Sequence, residues 1–424
     1  MKTKLLLASI LALSVQQTVL AQVDANGYTT VNLTTGPNYQ NRVFFDFSAN
    51  NIVSQPADSW DIAFFRNSSM NFGTRINDAQ NIEVYQASNV PTDWDNIDIA
   101  NIASWGGALY NPDQTTTLQE GAFEQGTASY GWGDYNVGNH HIEGKVIFVL
   151  KYLNTNTYYK FMITDYFGGY TFKYSKWNGT TWDATQTKTI ANGTDDAFFN
   201  YFSFATGDKV ANLEPPKANW DLMFTRYWTF YGGITMYRLS GAIQSPNISV
   251  AKVQPETQET AAATLPASGS FSNNITTVGH SWKPTTGVYN DVVYYVKQGS
   301  DYYRMYFTQN GGASTGNMYF KYKNITSVLD VTDVANKKAS FGIYPNPTTA
   351  DKHVTVLFDV KEKVNNKGNV EVYDLSGKKV YSAELTNQAG FYKQDLNLSQ
   401  LSSGNYLVKI TFGGSTETKK LIVK

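Results

Sequence analysis

The chain has 424 residues, which is too long for a single hydrophobic core and predicts two or three domains. Charged residues make up only 16% and the net charge is -1, so no overall field favours nucleic acid or an anionic membrane as a partner. Aromatic residues reach 15%, which favours strands over helices. Cysteine is absent, which excludes disulfides, zinc–thiolate sites and a cysteine nucleophile.

The first residues, MKTKLLLASILALSVQQTVLAQ, have the organisation of a secretory signal peptide. Lys2 and Lys4 form a basic start, Leu5–Leu13 is a short apolar segment, and Ala21 offers a small residue before a cleavage point. The apolar segment is too short to span a membrane. We therefore expect residues 1–21 to be a signal peptide that directs export.

The segment that follows contains two blocks that recur in the same order. ADSWDIAFFRN at Ala57–Asn67 matches KANWDLMFTRY at Lys217–Tyr227, and each block follows a Phe-x-Phe strand and a polar turn. Further on, KVIFVLKYLNTNTYYKFMITDYFGGYTFKYSKW matches DVVYYVKQGSDYYRMYFTQNGGASTGNMYFKYKN strand by strand. The period is far longer than 20–50 residues, so the pattern indicates a tandem duplication rather than a solenoid. We predict an all-β fold with antiparallel β modules at 23–190 and 191–328, followed by a linker at 329–340.

The repeated Trp-Asp motif is interpreted as scaffolding. Alternate residues of a strand share a face, so Trp60, Ile62 and Phe64 are predicted to form one core stripe that ends at Arg66. Asp61 is expected on the opposite face, bound to a turn amide or a lysine. The equivalent residues of the second copy are Trp220, Leu222, Phe224, Arg226 and Asp221. Both tryptophans are expected to be buried at equivalent places.

The last part of the chain has its own pattern. From Phe341 the sequence is FGIYPNPTTADKHVTVLFDV, then NVEVYDLSGKKVYSAEL, then LNLSQLSSGNYLVKITFGGSTETKKLIVK. Alternating strands broken by Pro, Gly and Ser turns predict a small immunoglobulin-like β-sandwich at 341–424. The Tyr-Pro-Asn-Pro opening, the Tyr-Asp-Leu-Ser-Gly-Lys middle and the final Leu-Ser-x-Gly-x-Tyr-Leu-Val-Lys hairpin resemble the type A C-terminal sorting domain of the Bacteroidetes type IX secretion system. The resemblance implies a secreted or outer-membrane-associated surface protein whose tail binds the type IX machinery.

The central segment carries a second resemblance. The series Phe-x-Phe, Trp-Asp-aliphatic-x-Phe-x-Arg, Tyr-Tyr-Lys/Arg and Phe-Lys-Tyr resembles the HmuY-like family over Val43–Trp177 and Tyr201–Asn324. That family consists of all-β haem-binding proteins of the Bacteroidetes surface. The resemblance implies a non-enzymatic binding protein with haem as its cofactor, held between two axial side chains.

Haem iron accepts nitrogen from histidine, and three histidines of the central segment are candidate ligands: His140, His141 and His280. The GNHHIEG loop is the preferred region, because it brings two imidazoles close to Trp132 and Tyr135. The competing interpretation at each position is a surface or turn histidine bound to a backbone carbonyl. Met70 and Met318 are alternative ligands, although methionine more often fills cores.

A different class of function stays open: a surface structural, adhesion or glycan-binding protein with no haem ligand, which uses exposed tyrosine and tryptophan side chains. An enzyme is not expected, because no nucleophile, base and metal can be assembled. GASTG at Gly312–Gly316 is followed by a strand instead of a helix, which indicates a turn and not a hydrolase elbow. The acidic run Asp93–Asp98 is interpreted as a solvated loop, with calcium as the alternative, and no metal site is predicted.

Overall fold

The computed structural model describes residues 15–16, 23–66, 72–260, 264–326, 339–361, 363, 365–412 and 415–424. Met70, nearly all of the predicted signal peptide and most of the predicted linker lie outside these residues. Strands make up 49% and helices 9%, so the predicted all-β fold class is confirmed. The chain divides into two compact units, Met1–Thr326 and Ser327–Lys424, here termed the body and the tail domain.

The body is built from short antiparallel strands. They are β1 (Val15–Gln16), β2 (Thr29–Thr34), β3 (Asn41–Asp46), β4 (Asn51–Pro56), β5 (Ile62–Phe65), β6 (Thr74–Ile76), β7 (Ile82–Ser88), β8 (Gly133–Tyr135), β9 (Ile142–Gly144), β10 (Ile147–Tyr152), β11 (Thr157–Tyr166), β12 (Gly169–Lys176), β13 (Gln186–Ala191), β14 (Phe199–Ser203), β15 (Asp208–Val210), β16 (Leu222–Tyr231), β17 (Thr235–Gln244), β18 (Ile248–Val253), β19 (Val293–Gln298), β20 (Asp301–Asn310) and β21 (Asn317–Asn324).

The helices of the body are short. One turn of α-helix, α1 (Gly312–Thr315), joins β20 to β21, within the GASTG segment that was predicted to be a turn. The 3₁₀ helices are Pro37–Tyr39, Asp78–Gln80, Pro91–Asn96, Ile99–Ser104, Phe123–Gln125, Lys217–Asn219 and Ser268–Ser270. Among the described residues, no helix is long and apolar enough to cross a membrane.

Three sheets of the body combine strands from both halves of its sequence, and a fourth does not. One sheet, in the order β13-β12-β11-β10-β7 with β8 and β9 beside β11, comes entirely from the first half. The other sheets have the orders β1-β4-β3-β16-β17, β15-β14-β5-β6 and β18-β19-β20-β21-β2. Each of these three crosses the boundary predicted between residues 190 and 191, so strand pairing does not stop there.

Two hairpins are exchanged between the repeated blocks. The first Phe-x-Phe hairpin, β3–β4, pairs with β16, which continues the Trp-Asp motif of the second block. The second Phe-x-Phe hairpin, β14–β15, pairs with β5, which continues the Trp-Asp motif of the first block. Each half of the body is therefore completed by a hairpin from the other block.

Asp61 fixes one of the exchanged hairpins. Its backbone N–H donates to the carbonyl oxygen of Phe202 at 2.8 Å, and its carboxylate Oδ2 accepts the N–H of Phe204 at 2.6 Å. Oδ1 accepts from the Gln80 amide at 2.8 Å and from the Tyr152 hydroxyl at 2.7 Å. A single buried side chain thus closes the backbone of β14 onto the start of β5.

Asp221 does the same for the other hairpin. Its backbone N–H donates to the carbonyl oxygen of Phe45 at 2.8 Å, and Oδ2 accepts the N–H of Phe47 at 2.8 Å. Oδ1 accepts from the Gln298 amide at 2.8 Å. The turn-amide partner proposed for these aspartates is therefore present in both blocks, with the amide supplied by the opposite block.

The body has three main hydrophobic clusters. One, the first core, lies between β5 and the sheet of β7–β13 and contains Ile62 and Phe64. Another, the second core, lies between β16 and the sheet of β18–β21 and contains Leu222 and Phe224. The third, here the middle cluster, consists of Phe44, Trp60, Ala63, Phe65, Leu118, Phe198, Phe199, Tyr201, Leu213, Trp220, Tyr227, Ile243 and Ile275.

Both motif tryptophans are buried as predicted, with Trp60 exposed by 7% and Trp220 by 2%, but they lie on the face opposite to the one expected. Trp60 packs in the middle cluster with Ala63 and Phe65, and Ile62 and Phe64 point into the first core. The predicted common stripe of Trp60, Ile62 and Phe64 is wrong, because β5 begins only at Ile62 and the two-residue alternation does not extend back through the bend at Asp61. The second block shows the same arrangement.

The tail domain consists of two antiparallel sheets around one core. Its strands are β22 (Ala339–Tyr344), β23 (His353–Val360), β24 (Gly368–Tyr373), β25 (Lys379–Leu385), β26 (Gly390–Asn397), β27 (Gly404–Phe412) and β28 (Ser415–Val423). The sheet orders are β22-β23-β26 and β25-β24-β27-β28. Alternate residues such as Val354, Val356 and Phe358 face the core, which is the two-residue pattern expected of a β-sandwich.

Replacing the aspartate that holds β3–β4 should destabilise the body. Asp221→Ala leaves the Phe47 N–H buried without an acceptor, which costs about 1–3 kcal/mol of the free energy of unfolding. The measurement is urea unfolding followed by tryptophan fluorescence. Asp58→Ala is the matched control, because Asp58 is exposed. Equal unfolding midpoints for the two variants would contradict the assigned role of Asp221.

The same residue predicts a pH dependence. Burial raises the pKa of Asp221 to about 7, so between about pH 4 and pH 7 the carboxyl is protonated in the folded chain and ionised in the unfolded chain. Unfolding then releases a proton, and the free energy of unfolding falls as pH rises through this window. Asp221→Asn should remove on the order of 1–3 kcal/mol of that fall between pH 4.5 and pH 7.5. An unchanged slope in the variant, measured by urea titration at both pH values, would exclude Asp221 as its source.

Candidate functional site

His280 lines a cleft of about 450 Å³ in the body, here termed the His280 cleft. The walls combine basic and tyrosine side chains with the α1 turn. The side chains concerned are Arg226, Arg238, Lys283, Tyr39, Tyr231 and Tyr237. No aspartate or glutamate is among the described residues that line this cleft.

The β16–β17 hairpin builds one wall of the cleft. Its strands pair from Leu222–Gln244 to Tyr231–Thr235, whereas β3 pairs with β16 only as far as Phe224. The outer part of the hairpin therefore projects beyond the sheet and carries Arg226, Tyr231, Tyr237 and Arg238 to the cleft. Gly232 and Gly233 both adopt positive φ, which allows the tight turn at the tip.

The cleft is electrostatically suited to an anion. Burial lowers the pKa of Lys283 to about 8, and burial together with Arg226 lowers the pKa of Arg238 to about 10. The Nε atoms of Arg226 and Arg238 are buried and have no hydrogen-bond partner within the described parts of the chain. Because positive groups are crowded here with no carboxylate lining the cleft, a bound anion would relieve an existing electrostatic cost.

The surroundings of His280 disfavour its protonated form. Its Nδ1 lies 2.8 Å from the Tyr227 hydroxyl, and its ring centroid is 5.9 Å from that of Tyr231. Burial, together with the charge of Lys283, lowers the pKa of the imidazole. A neutral imidazole with one nitrogen engaged by a hydroxyl leaves Nε2 as the nitrogen that can bind a ligand.

The other two predicted ligands lie elsewhere, in the loop between β8 and β9. His140 is exposed, and its Nδ1 lies 2.6 Å from the hydroxyl of Tyr135 on β8. The Nδ1 of His141 lies 2.7 Å from Oδ1 of Asp165 on β11, and its ring stacks on Phe167 at 4.5 Å. Since β9 separates β8 from β11, the two imidazoles face opposite sides of the loop.

The three predicted ligands are therefore not brought into one cleft. Trp132, expected beside the GNHHIEG loop as part of a site, is fully buried in the first core and is inaccessible to a ligand. Met318 is buried in the second core, and Met70 lies outside the described residues. Within the described ranges, no group of three or more histidine, aspartate or glutamate side chains could hold a metal ion, Asp93–Asp98 included.

Sequence reasoning missed the basic residues of the His280 cleft. Arg226 was assigned to the end of a core stripe, where an arginine can stack on an aromatic ring, and its guanidinium lies over the Tyr39 ring at 5.5 Å; its place in a cleft was not predicted. The available signal was the segment TRYWTFYGGITMYR, in which arginines and aromatic residues flank a Gly-Gly turn. A hairpin of that composition presents cations and rings together.

Residues 342–424 match the secretion system C-terminal sorting domain family. The match covers nearly all of the tail domain, so the resemblance of this segment to a type IX sorting signal is confirmed. The protein is exported by type IX secretion and is secreted or associated with the cell surface. No curated protein matches the chain.

Removal of the tail domain should abolish this export. A chain that lacks Phe341–Lys424 is expected to remain in the periplasm of a type IX-competent host, because the matched sorting signal is gone. Immunoblots of periplasm, outer membrane and medium measure the distribution. Fusion of the same segment to an unrelated periplasmic reporter is the matched control and should carry the reporter out of the cell. Normal amounts of the truncated protein outside the cell would contradict this assignment.

Proposed function

We propose that the protein is a non-enzymatic binding protein that captures haem in the His280 cleft after export by type IX secretion. The observation that carries this proposal is the position of the His280 imidazole, with Nδ1 2.8 Å from the Tyr227 hydroxyl, in a cleft lined by basic and tyrosine side chains. The resemblance of the body to the HmuY-like family implies haem as the ligand. The tail domain directs export to the cell surface or the medium, which is where a haem-capturing protein would act.

The side chains of the cleft fit the chemistry of haem. Haem is a planar ring system with two carboxylates, and its iron accepts an imidazole nitrogen. Tyrosine side chains offer ring faces to a planar ligand, and arginine and lysine bind carboxylates by charge-assisted hydrogen bonds. In this chain the rings are those of Tyr39, Tyr231 and Tyr237, and the cations are Arg226, Arg238 and Lys283. Haem, when bound, would supply the iron for which His280 is the candidate ligand.

The contacts around His280 support a positioning role for its neighbours. The Tyr227 hydroxyl holds the imidazole by Nδ1, and Tyr227 is itself fixed in the middle cluster. Lys283 donates to the Ser240 hydroxyl at 2.5 Å, which keeps its ammonium at the cleft wall. A ligand with one planar face and peripheral carboxylates would meet an already ordered set of groups, and such preorganisation lowers the entropic cost of binding.

The competing function is adhesion or glycan binding with no haem ligand. It needs exposed aromatic side chains, which the tip of the β16–β17 hairpin also provides in Phe230 and Tyr231. It does not need an imidazole whose protonated form is disfavoured by burial. Whether His280 binds haem iron therefore distinguishes the two functions.

Titration of the purified protein with haemin should give a saturable Soret shift that depends on His280. His280→Ala is expected to weaken haemin binding about tenfold or more and to change the Soret maximum, because the candidate axial nitrogen is removed. His140→Ala and His141→Ala are the matched controls and should bind haemin as the unmodified protein does. An unaltered titration for His280→Ala, or a loss confined to the His140 or His141 variants, would refute the proposed site.

A further inference from the structure

A second cleft of the body lies on the outer face of the β7–β13 sheet and is here termed the tryptophan cleft. Its volume is about 630 Å³. Residues of β10 alternate between the two faces of this sheet: Phe148 faces the first core, whereas Ile147 and Val149 pack beneath Trp94 on the outer face. Its lining includes Trp177, Trp182, Asp95, Asp98, Asp183 and Thr181.

The aromatic side chains of this cleft are fixed before any ligand binds. The Trp182 Nε1–H donates to the carbonyl oxygen of Ile97 at 2.6 Å, and the Trp94 Nε1–H donates to the Thr185 hydroxyl at 2.9 Å. The rings of Trp177 and Trp182 meet edge to face with centroids 5.2 Å apart, and a backbone bridge joins the two residues. The two rings therefore form a rigid platform at the surface of the sheet, with their planes inclined at 69° so that a ligand ring packs on one of them at a time.

The polar groups of the tryptophan cleft are mostly acceptors. Asp95, Asp98 and Asp183 are exposed, and all three line the cleft. Two lysines lie nearby. Lys160 is buried, and its ammonium donates to the carbonyl oxygen of Trp94 at 2.7 Å and lies 5.2 Å from the centre of the Trp182 ring. Lys173 is half-buried, and its ammonium lies 4.4 Å from the centre of the Trp94 ring. Three exposed carboxylates and one buried ammonium line the cleft itself, so its lining carries a net negative charge, the opposite of the His280 cleft.

We propose that the tryptophan cleft binds a neutral oligosaccharide. The C–H face of a pyranose ring packs on an aromatic ring, and the sugar hydroxyls donate hydrogen bonds to carboxylate oxygens. The acidic lining disfavours sulfated and uronic acid sugars, because like charges would be brought together. An open cleft on a rigid sheet suits part of a longer chain. This site is independent of haem capture, since it shares no residue with the His280 cleft.

The test is a glycan array that carries neutral, sulfated and uronic acid oligosaccharides, probed with the full secreted protein. Neutral oligosaccharides should bind, and Trp177→Ala should lower their signal about tenfold, since one ring of the platform is lost. Asp95→Asn should lower the signal about threefold without changing the packing, because an amide replaces one exposed acceptor. His280→Ala is the matched control and should leave the array unchanged.

Trp177→Phe is a control for loss of binding that is caused by misfolding of Trp177→Ala. It keeps an aromatic face and should restore part of the binding lost in Trp177→Ala, and both variants should still unfold cooperatively in urea, which shows that they are folded. Absence of any neutral glycan signal, a preference for sulfated or uronic acid sugars, or full binding by Trp177→Ala would overturn the proposal. Each of these outcomes leaves the haemin titration unaffected, so the two proposals can fail separately.

Discussion

The body depends on one repeated interaction: a backbone N–H of the opposite block donates a hydrogen bond to each buried aspartate. Asp61 accepts the N–H of Phe204, and Asp221 accepts the N–H of Phe47. Each bond lies where a Trp-Asp motif turns into its strand, so one carboxylate positions the exchanged hairpin and the following strand together. Removal of either acceptor would leave a buried donor, whose cost exceeds the net contribution of an ordinary hydrogen bond. This explains why the motif occurs in both blocks.

Both blocks contain a Trp-Asp motif that binds an exchanged hairpin, and they differ in the segments that follow the motif. In the second block, the strand after the motif continues for ten residues and returns as a hairpin of equal length, which builds the cationic wall around His280. In the first block, the matching strand has four residues, and a tryptophan-rich insertion before β8 covers the outer face of the large sheet. The two clefts thus arise where the blocks diverge, and their charges are opposite because their insertions carry different side chains.

Local patterns were sufficient for some features of this protein and insufficient for others. Turn residues and alternation predicted the tail domain, since its strands pair in short hairpins whose partners are near in sequence. The hairpin exchange could not be predicted from the sequence. Each Trp-Asp motif is followed by a strand that pairs with a Phe-x-Phe strand, and both blocks contain a Phe-x-Phe strand, so the pattern does not distinguish pairing within a block from pairing between blocks. The prediction of the face on which Trp60 lies was wrong because the bend at Asp61 interrupts the alternation of side chains between the two faces. Sequence spacing alone would continue that alternation through Trp60. The histidines were identified by residue type, but their separation depends on β9, whose position is set by pairing with β11.

The exchanged hairpins also constrain the order in which the chain can fold. The Asp221–Phe47 bond joins residues 174 positions apart, and the Asp61–Phe204 bond joins residues 143 positions apart. Closing such loops costs entropy before any packing compensates for it, and proteins dominated by distant pairings fold slowly. Neither half can be completed until the opposite hairpin has been synthesised and translocated, so the three sheets that combine both halves form later than the β7–β13 sheet can. Until the exchanged hairpins pair with them, β5 and β16 have unpaired edges. During this interval, association with a periplasmic chaperone would protect the chain from aggregation.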